Sequence, residues 1–390
     1  MPPLRIVIGA DTYPPDVNGA ARFAARLADG LAGRGHDVHV VAPSPDGRAG
    51  RHREDRVTVH RIRSHRYPLH ENFRICLPWQ AGPATAALLD AVDPDVVHVQ
   101  AHFVVGRGLA VAASRARRPL VATNHFMPEN LFAHARIPGS LRQVAARWAW
   151  RDLARVFGRA AVVTAPTPRA VQLLADSAGL AGALPVSCGI DADRYAGGVE
   201  ADVPTVLFVG RLDQEKRVDE LLRAFARLPA DLPARLEIVG DGARRGAWAA
   251  LAGELGLSGR VCWRGFVSED ELLGAYRRCA VFCMPGIAEL QSLATLEAMS
   301  AGKPVVAADA MALPHLVRPG RNGWLYDPGD VGSLAARLAT LLADAALRRR
   351  MGTASRQIAS RHALGATLDR FEELYRGVLG HTTGPIAAAA

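Results

Sequence analysis

The chain is poor in cysteine: Cys76, Cys188, Cys262, Cys279 and Cys283 are scattered over 390 residues without a C-x-x-C pair. An odd, dispersed set is no disulfide framework and lacks the ligand spacing of a zinc or redox centre. The thiols therefore read as reduced, as in a cytoplasmic protein. There is also no run of roughly 18 uncharged apolar residues, the length a membrane-spanning helix needs. Met1 to Ala10 has an apolar stretch at Ile6 to Ile8, but no basic flank, long hydrophobic region or small-residue cleavage site, which is not the pattern of a secretory signal. No internal repeat stands out. The expectation is a protein that is soluble in the cytoplasm or rests on a membrane surface.

What is present is a globular composition, 49% hydrophobic, over a length that favours two domains. Lys+Arg 47 against Asp+Glu 38 leaves +9, an excess that suits a phosphate-rich ligand, an anionic membrane or nucleic acid alike. Short apolar runs alternate with helical patterns throughout, which predicts parallel sheets covered by helices on both faces, an α/β fold. The expected strands are 5–10, 37–42, 96–99, 120–123 and 161–165 in the first half. In the second half they are 205–209, 236–239, 261–264, 281–284 and 305–308. The small and polar stretch 196–204 reads as a linker. That places a first domain at 1–198 and a second at 199–379, with the last helix able to pack back on the first, and a disordered tail at 380–390. Thr167-Pro168, Ser268 with Glu271, and Gly302 followed by Pro304 read as helix punctuation. Two doubly wound domains in tandem would set the carboxyl ends of both sheets around one cleft, as a two-substrate reaction requires.

The most informative segment runs from Pro285 to Val306. It follows an expected strand, so Glu289 falls in the loop at the carboxyl end of the sheet and Glu297 inside the next helix, whose N-terminus presents free N–H groups suited to phosphate. Two glutamates alone also fit a surface loop and a solvated helix face. Seven residues separate the two, and Ala298-Met299 and Gly302-Lys303-Pro304-Val305-Val306 follow. In this pattern the chain resembles glycosyltransferase family 4, whose members have the two-domain GT-B fold. The resemblance covers about residues 4 to 378.

By that resemblance Glu289 meets hydroxyls of the donor sugar and Glu297 the nucleotide ribose, with Gln291, Ser292 and Leu293 beside the diphosphate. Many members have Glu-Gly-Phe-Gly where this chain has Glu289-Leu290-Gln291-Ser292, which is closer to glycolipid-forming branches. In Gly210-Arg211-Leu212-Asp213-Gln214-Glu215-Lys216, Arg211 and Lys216 match the cations that meet the leaving diphosphate, whose charge grows as the glycosidic bond breaks. Gly19, after Tyr13-Pro14-Pro15-Asp16-Val17-Asn18, matches a glycine that lets backbone approach phosphate. His125 takes the place of the family's active-site histidine, in polar contact with the transferred sugar. His98 and His102 are weaker candidates that read better as structural. Phe266 and Val267 match the segment that contacts the nucleotide base.

Two patterns are set aside. Gly240-Asp241-Gly242-Ala243-Arg244-Arg245-Gly246 is one residue too long for a dinucleotide fingerprint. Asp191-Ala192-Asp193 has the form of a metal-binding D-x-D but reads as turn and cap chemistry near the domain junction, so neither a metal nor another cofactor is expected. The implied activity is retaining, metal-independent transfer of a hexose from a UDP- or GDP-linked sugar by front-face displacement. An epimerase, a phosphorylase or a non-catalytic sugar-nucleotide-binding protein on the same architecture remain alternatives. For the acceptor, Arg61, Arg63, Arg66 and Arg74 lie among Tyr67, Phe73 and Trp79 with Glu71 opposing. Arg142, Arg147, Arg151 and Arg155 accompany Trp148 and Trp150. Arginine with interfacial aromatics suits an anionic membrane and a lipid acceptor, with a solvated basic face and a soluble acceptor as the alternative. Nucleic acid is not expected, since no recognition motif accompanies the charge.

Overall fold

The computed structural model describes residues 2–16, 18–66, 74–128 and 139–380. The expected tail at 381–390, and Tyr67, Glu71 and Phe73, lie outside the described residues. Two compact units result, one of 1–187 with 365–390 and one of 188–364. The division thus falls at Ser187/Cys188, ahead of residue 198, and the stretch read as a linker belongs with the second unit.

In the first unit the strands are β1 (Arg5–Gly9), β2 (Asp37–Pro43), β3 (Gly50–Glu54), β4 (Val57–Ile62), β5 (His65–Arg66), β6 (Arg74–Ile75), β7 (Val96–Val99), β8 (Leu120–Thr123), β9 (Val162–Ala165) and β10 (Leu184–Pro185). Eight of them form a sheet ordered β10-β9-β8-β7-β1-β2-β4-β3. Every pairing is parallel except that of β3 on β4. Ile6, Ile8, Val40, Val97 and Val121 are fully buried, as β-branched strands covered on both faces must be. The final helix, Leu364–Gly380, sits against the helix Gly19–Gly33. There a Cβ on Gly30 would overlap Leu368. Arg34 binds Asp369 at 2.7 Å and Glu372 at 2.9 Å, and His36 lies 2.7 Å from Glu372. Phe371 and Tyr375 are fully buried, each such apolar body contributing roughly 1.5–3 kcal/mol.

The second unit holds β11 (Thr205–Val209), β12 (Arg235–Val239), β13 (Val261–Gly265), β14 (Val281–Met284), β15 (Val305–Ala308) and β16 (Gly323–Tyr326). They form an all-parallel sheet ordered β13-β12-β11-β14-β15-β16. Each sheet reverses its direction of winding at one place, between β1 and β7 in the first unit and between β11 and β14 in the second. In open sheets of this kind the crevice outside the carboxyl ends at such a reversal is where ligands bind.

The helix punctuation is visible in hydrogen bonds. Thr167 caps Pro168–Ala178, and Ser268 and Glu271 form a reciprocal capping box on Glu269–Arg278. Gly302 has φ +74 just past the helix Leu293–Ser300, a conformation that glycine adopts without strain. Asp193 opens a short 3-10 turn, Asp193–Tyr195. Gly240 has φ +122, and a Cβ there would overlap the carbonyl of Gly210. The glycines of 240–242 therefore let the loops after β11 and β12 pack backbone to backbone.

Candidate active site

In the second unit the loops at the sheet reversal carry the expected charged groups. Gly210 directly follows β11, and its N–H donates to Val239 O at 3.0 Å, leaving Arg211 as the first side chain beyond the strand. Its guanidinium is clasped by two buried carboxylates, Asp213 at 3.0 Å and Glu215 at 3.3 Å. The turn Gln214–Lys216 is tied to the loop after β14, because Ile287 N donates to Glu215 O at 3.0 Å. This brings Lys216 Nζ onto Glu289 Oε1, with both side chains largely buried. A Cβ on Gly286 would stand 3.2 Å from Glu289 Oε1 and 3.5 Å from Lys216 Cδ, so glycine leaves room for the pair. Glu289 is itself anchored by its carbonyl, which accepts from Ala312 N at 3.1 Å.

The helix Leu293–Ser300 starts directly after this loop. Ser292 caps it, accepting from Thr295 N at 3.4 Å and from Thr295 Oγ1 at 2.9 Å, and Leu293 is its first residue. Glu297 lies on the buried face of the helix, where its Oε2 accepts from the hydroxyl of Tyr276 at 2.9 Å. The Gln291 side chain turns inward, its Oε1 accepting from Cys188 N at 2.7 Å, so that side chain anchors the loop. At the end of β13, Gly265 has φ +66, Phe266 is exposed and Val267 is half-buried. An aromatic side chain left in water beside these loops suits stacking on a planar ring.

In the first unit Gly19 opens the helix Gly19–Gly33, behind the N-cap Asn18, whose side chain accepts from Ala21 N at 2.9 Å. His125 follows β8. Its Nε2 is 2.9 Å from Gln100 Oε1, and its ring rests on Phe23 at 4.8 Å. Burial pushes its pKa down to about 4, so the ring is neutral at physiological pH. His98 is wholly buried, with Nδ1 2.8 Å from Tyr375 Oη and Nε2 2.7 Å from Thr123 Oγ1. His102 packs between Phe103 and Phe126. Both are core residues. Asp11, after β1, accepts from Val105 N at 2.8 Å and Gly106 N at 3.1 Å, and burial raises its pKa to about 6.

Sequence reasoning missed Asp213, Glu215, Tyr276, Gln100 and Asp11. The first two stand within the quoted motif, where two acids around an arginine are the available signal. Of the basic segments, Arg61 is buried, donating to Pro14 O at 2.6 Å, and Arg74 braces Ser64 at 2.8 Å. Trp150 is also buried, edge-on to Phe126, whereas Trp79 and Trp148 are exposed. Neither Arg61 nor Trp150 is therefore a surface group.

Two tandem units, each a doubly wound parallel sheet, with cations and glutamates gathered at a sheet reversal, define a GT-B glycosyltransferase. Residues 17–194 match the Glycosyltransferase Family 4 domain and residues 190–358 the glycosyl transferases group 1 domain. A GDP-mannose-dependent alpha-mannosyltransferase of Mycolicibacterium smegmatis is 32% identical over 97% of this chain and 98% of its own. The sulfoquinovosyl transferase SQD2 of Arabidopsis thaliana is 28% identical over 76% of this chain and 59% of its own. Among solved structures, sucrose-phosphate synthase from Thermosynechococcus elongatus superposes with a TM-score of 0.82 at 20% identity, covering 97% of this chain and all of that one. The chain belongs to glycosyltransferase family 4, and it is a nucleotide-sugar glycosyltransferase.

Proposed function

We propose that the enzyme transfers mannose from GDP-mannose, with retention of configuration and without a bound metal, to a hydroxyl of a membrane lipid on the cytoplasmic face. The observation that carries the donor assignment is the near full-length likeness to a GDP-mannose-dependent alpha-mannosyltransferase. An alpha product from an alpha-linked donor is retention, and front-face displacement is the retaining route that the family resemblance implies. The bond from C1 to the diphosphate oxygen breaks, the bond from the acceptor oxygen to C1 forms on the same face, and the acceptor proton passes to the leaving phosphate.

Each site residue has a part in this reading. Arg211 and Lys216 meet the charge that develops on the diphosphate, joined by the N–H groups at Ser292 and Leu293. Glu289 holds sugar hydroxyls and Glu297 the ribose, while Phe266 and Val267 border the base. His125 meets the transferred sugar. The positive groups supply what a metal would otherwise supply, so EDTA leaves activity intact, and complete loss restored by manganese would overturn the metal-independent reading.

A thermal-shift panel of GDP, UDP and ADP, followed by NMR of the product anomer, tests the donor and the stereochemistry. GDP at 100 times its dissociation constant stabilises by about 2.7 kcal/mol. A shift with UDP or ADP alone, or a beta product, would refute the assignment. The lipid acceptor is supported by the exposed arginines and Trp148 on the helix Arg142–Phe157. Among the described residues no helix is long and apolar enough to cross a membrane, so the proposed association is peripheral.

A further inference from the structure

We propose that Gln100 is a positioning residue for His125, fixing the imidazole as its Nε2–H tautomer so that Nδ1 is offered as a hydrogen-bond acceptor to a hydroxyl of the transferred sugar. The inference rests on the reading that His125 meets that sugar.

Gln100 is the first residue beyond β7, next to the sheet reversal. Its N–H donates to Gly9 O at 2.8 Å, and its side chain is buried. Both ends of its amide face a histidine. Oε1 is 2.9 Å from His125 Nε2, and Nε2 is 3.5 Å from His98 Nε2. A carbonyl oxygen only accepts, so the His125 nitrogen facing it must carry the proton. The opposite amide orientation would instead set the Gln100 oxygen against His98 Nε2, which would require the His98 proton on that nitrogen. His98 Nε2 lies 2.7 Å from the hydroxyl of Thr123, itself 2.7 Å from the hydroxyl of Thr164, and His98 Nδ1 lies 2.8 Å from the hydroxyl of Tyr375. With the His98 proton on Nδ1, donating to Tyr375, the bare Nε2 accepts from Thr123 and faces the amide N–H of Gln100. One polarity then runs from the final helix through His98 and Gln100 to His125.

His125 is neutral at physiological pH, because burial lowers its pKa to about 4. A ring with its single proton on Nε2 has a lone pair on Nδ1. Among the described residues that atom has no hydrogen-bond partner, and the His125 ring is half-buried, whereas the unpartnered Nδ1 of His102 is buried. Phe23 against the ring limits its rotation. A bare imidazole nitrogen accepts from a hydroxyl and repels a phosphate oxygen. It therefore suits the sugar and not the diphosphate.

The test is ring-nitrogen NMR on full-length protein labelled with 15N-histidine, the His125 signals being assigned with a His125→Asn variant. Wild type should show the Nε2–H tautomer at His125. Gln100→Leu should lose that single tautomer and lower kcat roughly 10-fold to 10²-fold with donor KM little changed, the pattern of lost orientation. Gln100→Glu keeps an acceptor at Nε2, so it should restore the tautomer, recover part of kcat and move the acidic limb of the pH profile upward. An Nδ1–H tautomer in wild type, or an unchanged tautomer in Gln100→Leu, would overturn the proposal. A tautomer lost in Gln100→Leu with kcat untouched would instead overturn the role of His125 at the sugar, which separates the two failures.

Discussion

Lys216 and Glu289 are ion-paired through Nζ and Oε1, with side chains 15% and 10% exposed. Each therefore shields the other's charge in a site assigned to a sugar and a diphosphate. Arg211 has two acidic partners of its own, Asp213 and Glu215. Lys216→Ala and Arg211→Ala should each lower turnover by roughly 10²–10³-fold, the usual cost of one preorganised charge stabiliser. Because neighbours couple, Lys216→Ala/Glu289→Ala should lose less than the sum of the single losses. Steady-state kinetics on the two single variants and the double variant check both points, and wild-type rates in the single variants would remove the cations from the reaction.

Glu297 should behave differently. A carboxylate that holds ribose hydroxyls serves ground and transition states alike, so Glu297→Ala should raise donor KM with kcat little changed, whereas Glu289→Ala should mainly lower kcat. Tyr276 donates to Glu297, and Tyr276→Phe should move donor KM in the same direction by a smaller factor. The opposite pattern in the two glutamate variants would mean that their roles are exchanged.

The parallel strands were legible because residues buried on both faces form continuous apolar runs, as in Val281–Met284 and Val305–Ala308. The edge strand Gly50–Glu54 was not. It reads Gly-Arg-His-Arg-Glu and is nearly all exposed, so no apolar pattern betrays it. Gly323–Tyr326 was missed because it is short and opens with a glycine whose Cβ would overlap Val305. The spacing of Glu289 and Glu297 marked a candidate site, but contacts across the sheet were invisible. Tyr276 to Glu297 and Gln100 to His125 join residues from separate βα units. Burial of single side chains was equally hidden. Trp148 and Trp150 stand two positions apart on one helix and therefore point to opposite sides.

Acid should unfold the protein above the usual carboxylate range. Burial lowers the pKa of His98 to about 3 and those of His102 and His125 to about 4, from 6.5. Between pH 6.5 and about 4 the unfolded chain binds more protons at these rings than the folded protein does. Their contribution to stability is therefore present above pH 6.5 and lost as pH falls through that window, by roughly 1.4 kcal/mol per proton per pH unit. Asp11 has the opposite sign. Its pKa is raised to about 6, so the folded state holds the extra proton between pH 3.8 and 6. His60 and His362, also lowered to about 4 by burial, bring the rings to five against the buried acids Asp11, Asp16 and Asp29, whose pKa values burial raises, so the urea midpoint should fall steadily from pH 6.5 to 4.5. A midpoint that does not change over that range would refute the buried neutral histidines.

Membrane binding should depend on one helix. On Arg142–Phe157 the residues Trp150, Leu153, Val156 and Phe157 are buried, which turns another face to water. There Val144 and Trp148 are 56% and 66% exposed, and Leu141, just before the helix, is 55% exposed. Spacings of three and four residues put these apolar groups in one stripe. Arg147, Arg151 and Arg155 are exposed and recur every four residues, while Asp152 is neutralised by Arg107. A purely solvated basic face would have no reason to carry a tryptophan and two aliphatic residues in its midst. An interfacial helix needs both parts, with apolar groups entering the headgroup boundary and each cation contributing about 1 kcal/mol near an anionic surface. The protein should sediment with phosphatidylglycerol vesicles at low salt, release at high salt, and leave phosphatidylcholine vesicles unbound. Arg147→Glu/Arg151→Glu should weaken binding by at least roughly 10-fold, since two of those contributions are lost and reversed. Trp148→Ala should weaken binding in a way that salt does not mimic, because it removes apolar area and not charge. Transfer to a water-soluble acceptor should be unchanged in both variants. No sedimentation with anionic vesicles at low salt, together with efficient transfer to a water-soluble acceptor, would overturn the lipid reading.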